Sequence, residues 1–175
     1  GLDSLGKLRS VPGVRIGGQE VGHDTYTVAR LFVYAIGMKE TKWVTGYGGA
    51  ELDVALMRGE VDARANAAET VIRRSPEWLE KGLVDFHAII EIPKGNKLAP
   101  FARLSEIEDF VGSEKDRKLL AMYRGFRLVG TPYILPPGTP RAQVEILQEA
   151  MRKAFNDPGF RNEFKRLAGF DASPL

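Results

Sequence analysis

The feature that most constrains this chain is a glycine-rich turn set between a strand-like run and a helix-like run. Residues 46–69 read GYGGAELDVALMRGEVDARANAAE. Gly46, Tyr47, Gly48 and Gly49 follow the strand-like residues 41–45, after which Leu52, Ala55 and Leu56 recur at helical spacing. Gly59 stands where a C′ glycine would end that helix, residues 61–65 predict a second short strand, and Asn66 leads into another helical run from Ala67. Strand, helix and strand in so short a span form a βαβ unit, with its loops at one end of a parallel sheet. Ligands of such sheets sit beyond the carboxyl ends of the strands, where helix N-termini point N–H groups at anions.

The flanks extend the same plan. Residues 14–17 predict a strand, and Gly17, Gly18, Gln19, Glu20, Val21 and Gly22 a loop. From His23 to Ile36 the apolar positions Val28, Leu31, Phe32, Ala35 and Ile36 fit one buried helix face, capped by His23, Asp24 or Thr25 and closed by Gly37. The first 65 or so residues therefore read β-α-β-α-β, a doubly wound α/β plan. Ahead of it, Leu2, Leu5 and Leu8 mark a short amphipathic turn or helix ending near Pro12. Behind it, a helix over 67–75 is followed by one that Pro76 opens and Gly82 ends.

Residues 84–92 are almost continuously apolar and predict, over 84–90, a strand covered on both faces. Ser105 is the expected N-cap of a helix over 106–111, and Ser113 opens a charged helix over 115–123. Residues 126–135 read as strand, with 133–135 a linking strand stopped by Pro136, Pro137 and Gly138. Thr139 and Pro140 offer an N-cap beside an N1 proline, and Val144, Leu147, Met151 and Phe155 form a helical stripe. Asp157 and Pro158 restart a last helix carrying Phe160, Phe164 and Leu167.

Composition narrows the function. With 175 residues and a 43% hydrophobic share, the chain can bury one substantial core, as one domain with an appendage. Its 25 basic and 23 acidic residues are intermixed, and no basic tract with interleaved aromatics argues for nucleic acid. The absence of cysteine removes disulfides, thiolate metal sites and cysteine nucleophiles. No apolar run approaches the roughly 18 residues of a membrane span, and the first residues lack the pattern of a signal peptide. A numbering that starts at Gly1 is read as a mature protein or a fragment.

No metal and no cofactor is expected. His23 and His87 are the two histidines and have no HExxH spacing, while Gly17, Gly18 and Gly22 do not meet G-x-G-x-x-G. A small hydrolase is the weaker alternative: His23 and Asp24 supply suitable residue types, but neighbours on a helix do not face each other and no G-x-S-x-G occurs. The chain is therefore expected to bind rather than catalyse.

The pieces 47–62 and 136–158 carry a family resemblance. The Gly-rich turn before a helix that ends in Gly59-Glu60-Val61-Asp62, then Pro136-Pro137-Gly138-Thr139-Pro140, a helix and Asn156-Asp157-Pro158, resemble the tripartite tricarboxylate transporter receptors. These are TctC-like, or Bug-type, periplasmic solute-binding proteins. The resemblance covers about residues 2–169 and is that of the second lobe plus the C-terminal return. Residues 106–124 are an added charged stretch, and the family's first lobe, with its Gly-Gly-x-x-Asp loop, has no counterpart before Val14.

The resemblance implies a three-layer α/β/α sandwich of type II periplasmic-binding-protein kind, with residues 1–130 as the ligand-binding lobe and 131–175 as a connecting strand and returning helices. It implies no catalytic residue. Ligand-binding positions carried over are Gly18, Gly22, His23, Asp24, Thr25, Tyr47, Gly48, Gly49, Arg64, Asn66 and Ala67. The implied partners are a small carboxylate or amino-acid-like ligand and the membrane permease subunits of the transporter, and the implied location is periplasmic. Three adjacent helix N-termini suit a carboxylate, with His23, Thr25 or Tyr47 to orient it. Glu20, Asp24 and Glu69 oppose an anion unless turned away, a conflict that an amine or hydroxyl on the ligand relieves. Two plainer readings stand beside this one: His23 as a simple cap, and Arg64 paired with Asp62 or Glu69 in solvent. A further alternative is an interaction or dimerisation module that uses the apolar surface left without a first lobe.

Overall fold

The computed structural model describes residues 2–129, 132–168 and 171. Three short parallel strands, β1 (Arg15–Gly17), β2 (Lys42–Val44) and β3 (Ala63–Arg64), form a sheet in the order β2-β1-β3. Ile16 faces Trp43 across one ladder and Ala63 across the other. Each strand lies inside the range expected from sequence, and helices flank the sheet as the βαβ pattern requires.

Helix α2 (Asp24–Ile36) joins β1 to β2, and α3 (Gly49–Met57) joins β2 to β3. The stripe of α2 buries Ala29 and Ile36 in a cluster with Ile16, Val14 and Leu8, against which Phe32, Trp43 and Ala63 pack. Helix α3 buries Leu52 and Ala55 with Val61, and Val44 and Leu56 close that cluster. Neighbouring residues of a strand point to opposite faces, so Ile16 serves the α2 side and Gly17 the α3 side. A Cβ at Gly17 would lie 2.5 Å from Leu52 Cδ1 and 3.1 Å from a Val61 methyl. The missing side chain therefore sets how closely α3 approaches the sheet. At the far end of α3, Gly59 takes φ 71°, the left-handed conformation that ends a helix without a Cβ penalty.

Helices α1 (Leu5–Ser10), α4 (Ala68–Arg74) and α5 (Glu77–Glu80) fall close to their expected spans. Ser4 caps α1, Ser113 caps α6 (Glu114–Leu128), and α7 (Arg141–Asn156) and α8 (Pro158–Ala168) complete the described helices. None of these helices is long and apolar enough to cross a membrane.

Four expectations are corrected. Residues 84–90 are not a fourth strand. Their one ladder contact is an isolated parallel bridge between Ile89 and Glu106, held by Ile89 N–H to Ser105 O at 3.0 Å and Ile107 N–H to Ile89 O at 2.8 Å. The apolar run instead packs Val84, Phe86 and Ile89 on Val71, Trp78 and Phe101, leaving β3 at the sheet edge. A buried ionic knot holds this segment: Arg124 donates to Glu91 O at 3.0 Å and to Glu106 Oε1 at 2.5 Å, and also pairs with Glu108.

The run 126–135 does not begin as strand, because α6 carries on through Leu128, and residues 132–135 form no strand. Tyr133 and Ile134 are 81% and 84% exposed and pair with no strand among the described residues, and positions 130 and 131 lie outside those residues. Over 106–111 the chain forms a 3-10 helix (Ile107–Phe110) capped by Glu106 rather than Ser105, the Glu106 carboxylate accepting from Glu108 N–H at 2.8 Å. Thr139 does not cap α7. Its hydroxyl is used in the preceding turn, donating to Pro136 O at 2.7 Å, and Pro140 occupies the cap position.

Candidate functional site

Because all three strands are parallel, the loops 18–23, 45–48 and 65–67 leave the sheet at one carboxyl edge. The candidate site is built there from side chains that arrive from α2, α3, β3 and α6.

Arg64 ends β3 with its side chain only 3% exposed. Its guanidinium donates to Gly49 O at 3.0 Å and Ala65 O at 3.1 Å, and pairs closely with Asp53 of α3. Asp53 also accepts from Arg74 at 3.4 Å and lies 3.5 Å from the Asn66 amide. Burial lowers the Arg64 pKa from its ordinary value, and the adjacent Asp53 carboxylate works against that shift. The pairing with Asp62 or Glu69 read from sequence is thus corrected. Asp62 is taken by Arg15, through bonds of 3.0 and 2.6 Å to the side chain and 2.8 Å to the backbone N–H. Arg64 acts as a brace that ties the β3 end to the start of α3.

The N-termini at this edge are largely satisfied from within the chain. His23 caps α2 through Nδ1, which accepts from Thr25 N–H at 3.2 Å and lies 3.0 Å from the Thr25 hydroxyl. Of the three caps open in the sequence, His23 is the one used. At α3, Gly48 N–H donates to the Glu51 carboxylate at 2.7 Å. Asn66 Oδ1 accepts from Ala67 N–H at 3.0 Å ahead of α4. Tyr47 turns toward Glu60, its hydroxyl donating at 3.3 Å, and Gly18 N–H donates to Val44 O at 2.9 Å. Glu20 and Gly22 lie on the exposed surface of the first loop.

Asp24 is neutralised locally rather than turned to solvent. Tyr123 of α6 donates its hydroxyl to Asp24 at 2.6 Å, and Arg127 Nε lies 3.3 Å from the same oxygen. Burial and this bond to a carboxylate both push the Tyr123 pKa upward, so the hydroxyl stays a donor. His23 and Asp24, adjacent in sequence, make these contacts with other residues and not with each other.

A cavity of about 720 Å³ opens beside this edge. Asp24, Thr25, Arg64, Asn66 and Ala67 of the expected set line it; Gly18, Gly22, His23, Tyr47, Gly48 and Gly49 do not. Its volume falls within the range of small-molecule pockets, and most of its wall is apolar, from residues such as Val28, Phe32, Phe86 and Ile90. Among the described residues no group of three or more His, Asp or Glu is placed to hold a metal.

Sequence reasoning missed Asp53, Glu51, Tyr123 and Arg127. Glu51 had a signal, since a Glu three residues after a glycine N-cap is placed to reach back to its N–H. Asp53 sits next to Leu52 on the buried flank of α3, where an acid predicts a buried cation opposite. Tyr123 and Arg127 lie 99 and 103 positions from Asp24, and no local pattern joins them to it. No family model matches this chain, and no curated protein matches it.

Proposed function

We propose that this chain is a solute-binding lobe of the tripartite tricarboxylate transporter receptor kind, a doubly wound α/β/α sandwich of type II periplasmic-binding-protein form. It works in the periplasm, captures a small carboxylate between itself and an opposing lobe, and delivers it to membrane permease subunits. The chain binds its ligand and does not transform it.

One observation carries this reading: three parallel strands release their loops at one edge, and the cavity beside that edge is lined by Asp24, Thr25, Arg64, Asn66 and Ala67. In doubly wound sheets, ligands bind beyond the carboxyl ends, at the point where the connections diverge. The order β2-β1-β3 puts that point between β1 and β3, the strands that end in Gly17 and Arg64. Because the helix ends are partly self-capped, one lobe alone holds a carboxylate weakly, on the order of millimolar. Calorimetric titration with citrate, succinate and glutamate tests this. Saturable binding of at least one is expected, and no saturable binding up to tens of millimolar, on that same order-of-magnitude argument, counts against it.

The second reading, an interaction or dimerisation module, draws on a separate observation. No residue of α7 is buried, and Ile146, Leu147 and Leu167 are 67%, 46% and 64% exposed. Sedimentation across a concentration series tests it, since a monomer throughout would exclude self-association.

A further inference from the structure

Two guanidiniums share one carboxylate on the α3 side of the carboxyl edge. Asp53 pairs closely with Arg64 through Oδ1, and its other oxygen, Oδ2, accepts from Arg74 Nη1 at 3.4 Å. The Asp53–Arg64 pair is buried, whereas the Arg74 side chain, at the end of α4, is 41% exposed. A charge-assisted N–H···O bond is best at about 2.7–2.9 Å, so Arg74 is held loosely. Burial, opposed by Asp53, lowers the Arg64 pKa, and the nearby Arg74 charge lowers it further. One carboxylate thus offsets the buried guanidinium and leaves the exposed one in surplus.

The surroundings of Arg74 leave that surplus available. Its Nε and Nη2 donate to no acceptor among the described residues, and the half-buried Gln19 carboxamide, in the loop after β1, has no partner among them either. A Cβ on Gly49, the first residue of α3, would stand 3.4 Å from Arg74 Nη1 and 3.7 Å from Gln19 Oε1. Both side chains thus border the position that the missing Cβ leaves open. Gln19, Gly49 and Arg74 follow β1, β2 and β3 in turn, and none of them lines the cavity. Of the acids close by in the chain, Glu51 is committed to Gly48 N–H at 2.7 Å and Glu20 lies on the exposed surface.

From this surplus charge and the open position beside it, we propose that Arg74 is the specificity-determining contact for a carboxylate group of the solute. The carboxylate meets the Arg74 fork over Gly49, and the Gln19 carboxamide turns to offer it Nε2. A planar carboxylate matches a guanidinium through two parallel N–H···O bonds, which a point charge cannot do. This rests on the carboxyl edge being the ligand site and places the solute's charged end on the α3 side of it, outside the cavity.

The test is a titration of the 175-residue chain with succinate, neutral succinamide and inorganic phosphate, followed by amide and arginine Nε chemical shifts. Succinate is expected to give saturable shifts at Gln19, Gly49, Ala50 and the Arg74 Nε, and succinamide none. Arg74→Gln and Gly49→Ala should each weaken succinate by about tenfold. The alanine methyl would stand at ordinary contact distance, and Gly49 has no positive φ, so that variant fills the position without strain. Retained circular dichroism checks the fold of both. If both variants bind succinate within about twofold of the parent while shifts at residues 64–67 persist, the Arg74 contact is overturned and the carboxyl edge stands. If succinamide or phosphate matches succinate at Gln19 and Arg74, the carboxylate assignment is overturned. If succinate shifts nothing at the edge, the carboxyl-edge reading falls with it.

Discussion

Residues 14–65 and residues 141–168 both carry strongly amphipathic helices, α2 in the first and α7 and α8 in the second, and only the first region buries its helices against a sheet. In the former, α2 and α3 press Ile36 and Leu52 to 1% and 0% exposure against a three-stranded sheet. In the latter, α7 and α8 meet through Phe155 and Phe160, with ring centroids 5.4 Å apart, and Phe164 lies 6.0 Å from Phe160 within α8, yet α7 buries no residue. The contrast teaches that helical periodicity declares a face but not what covers it. A face becomes core when a second element of matching period arrives within a few residues, as β1, β2 and β3 do.

The sharpest way to break this contrast is at the Asp53–Arg64 brace. Asp53→Asn would leave the Arg64 charge buried without its carboxylate, and a loss of about 3–5 kcal/mol in urea unfolding is expected. A loss under 1 kcal/mol would mean that Arg64 is solvated and the brace is not buried. Next comes a matched pair. Leu52→Ala should cost about 2–5 kcal/mol, and Leu147→Ala, at 46% exposure, less than about 0.5 kcal/mol. Equal costs would show that α7 is covered in solution.

Gly17→Ala sharpens the account of why α3 sits so close. The added methyl meets fully buried Leu52, and a loss of about 1–3 kcal/mol is expected from overpacking. The smallest effect concerns pH. The hydrogen bonds and charge of Arg15 hold the Asp62 carboxyl below its ordinary 3.8, against a smaller burial effect. A depressed carboxylate pKa stabilises the fold fully above the ordinary value, and that contribution is lost as pH falls through the folded-state value. The urea midpoint of the parent should therefore drop below about pH 4 more than that of Asp62→Asn. Parallel pH profiles would show that the pair contributes nothing.

These residues also show how far the sequence could be read. The three strands, the glycine stop at Gly59 and the caps at His23 and Ser113 were legible because each depends on residues within a few positions. The segment 84–90 was not. A continuous apolar run serves a buried strand or a cavity wall equally well, and the outcome turned on Ser105, Ile107 and Arg124, which supply its backbone partners from further along the chain. The run at 126–135 failed for a related reason: α6 continues through Gly125, where a glycine stop would end it, and takes in apolar Phe126 and Leu128. At the site, the loops were legible and the pairings were not. Arg64 bonds to Asp53 rather than to its sequence neighbour Asp62, because α3 returns antiparallel to β3 and brings Asp53 alongside.

The central claim is that the carboxyl edge of the β2-β1-β3 sheet is where a small solute binds. Amide chemical-shift mapping during a titration with succinate and leucine tests it most directly. Saturable shifts are expected, concentrated at residues 23–25 and 64–69 and at Tyr123 and Arg127. Shifts confined to the starts of α6 and α7, at Ser113 and Arg141, would contradict it.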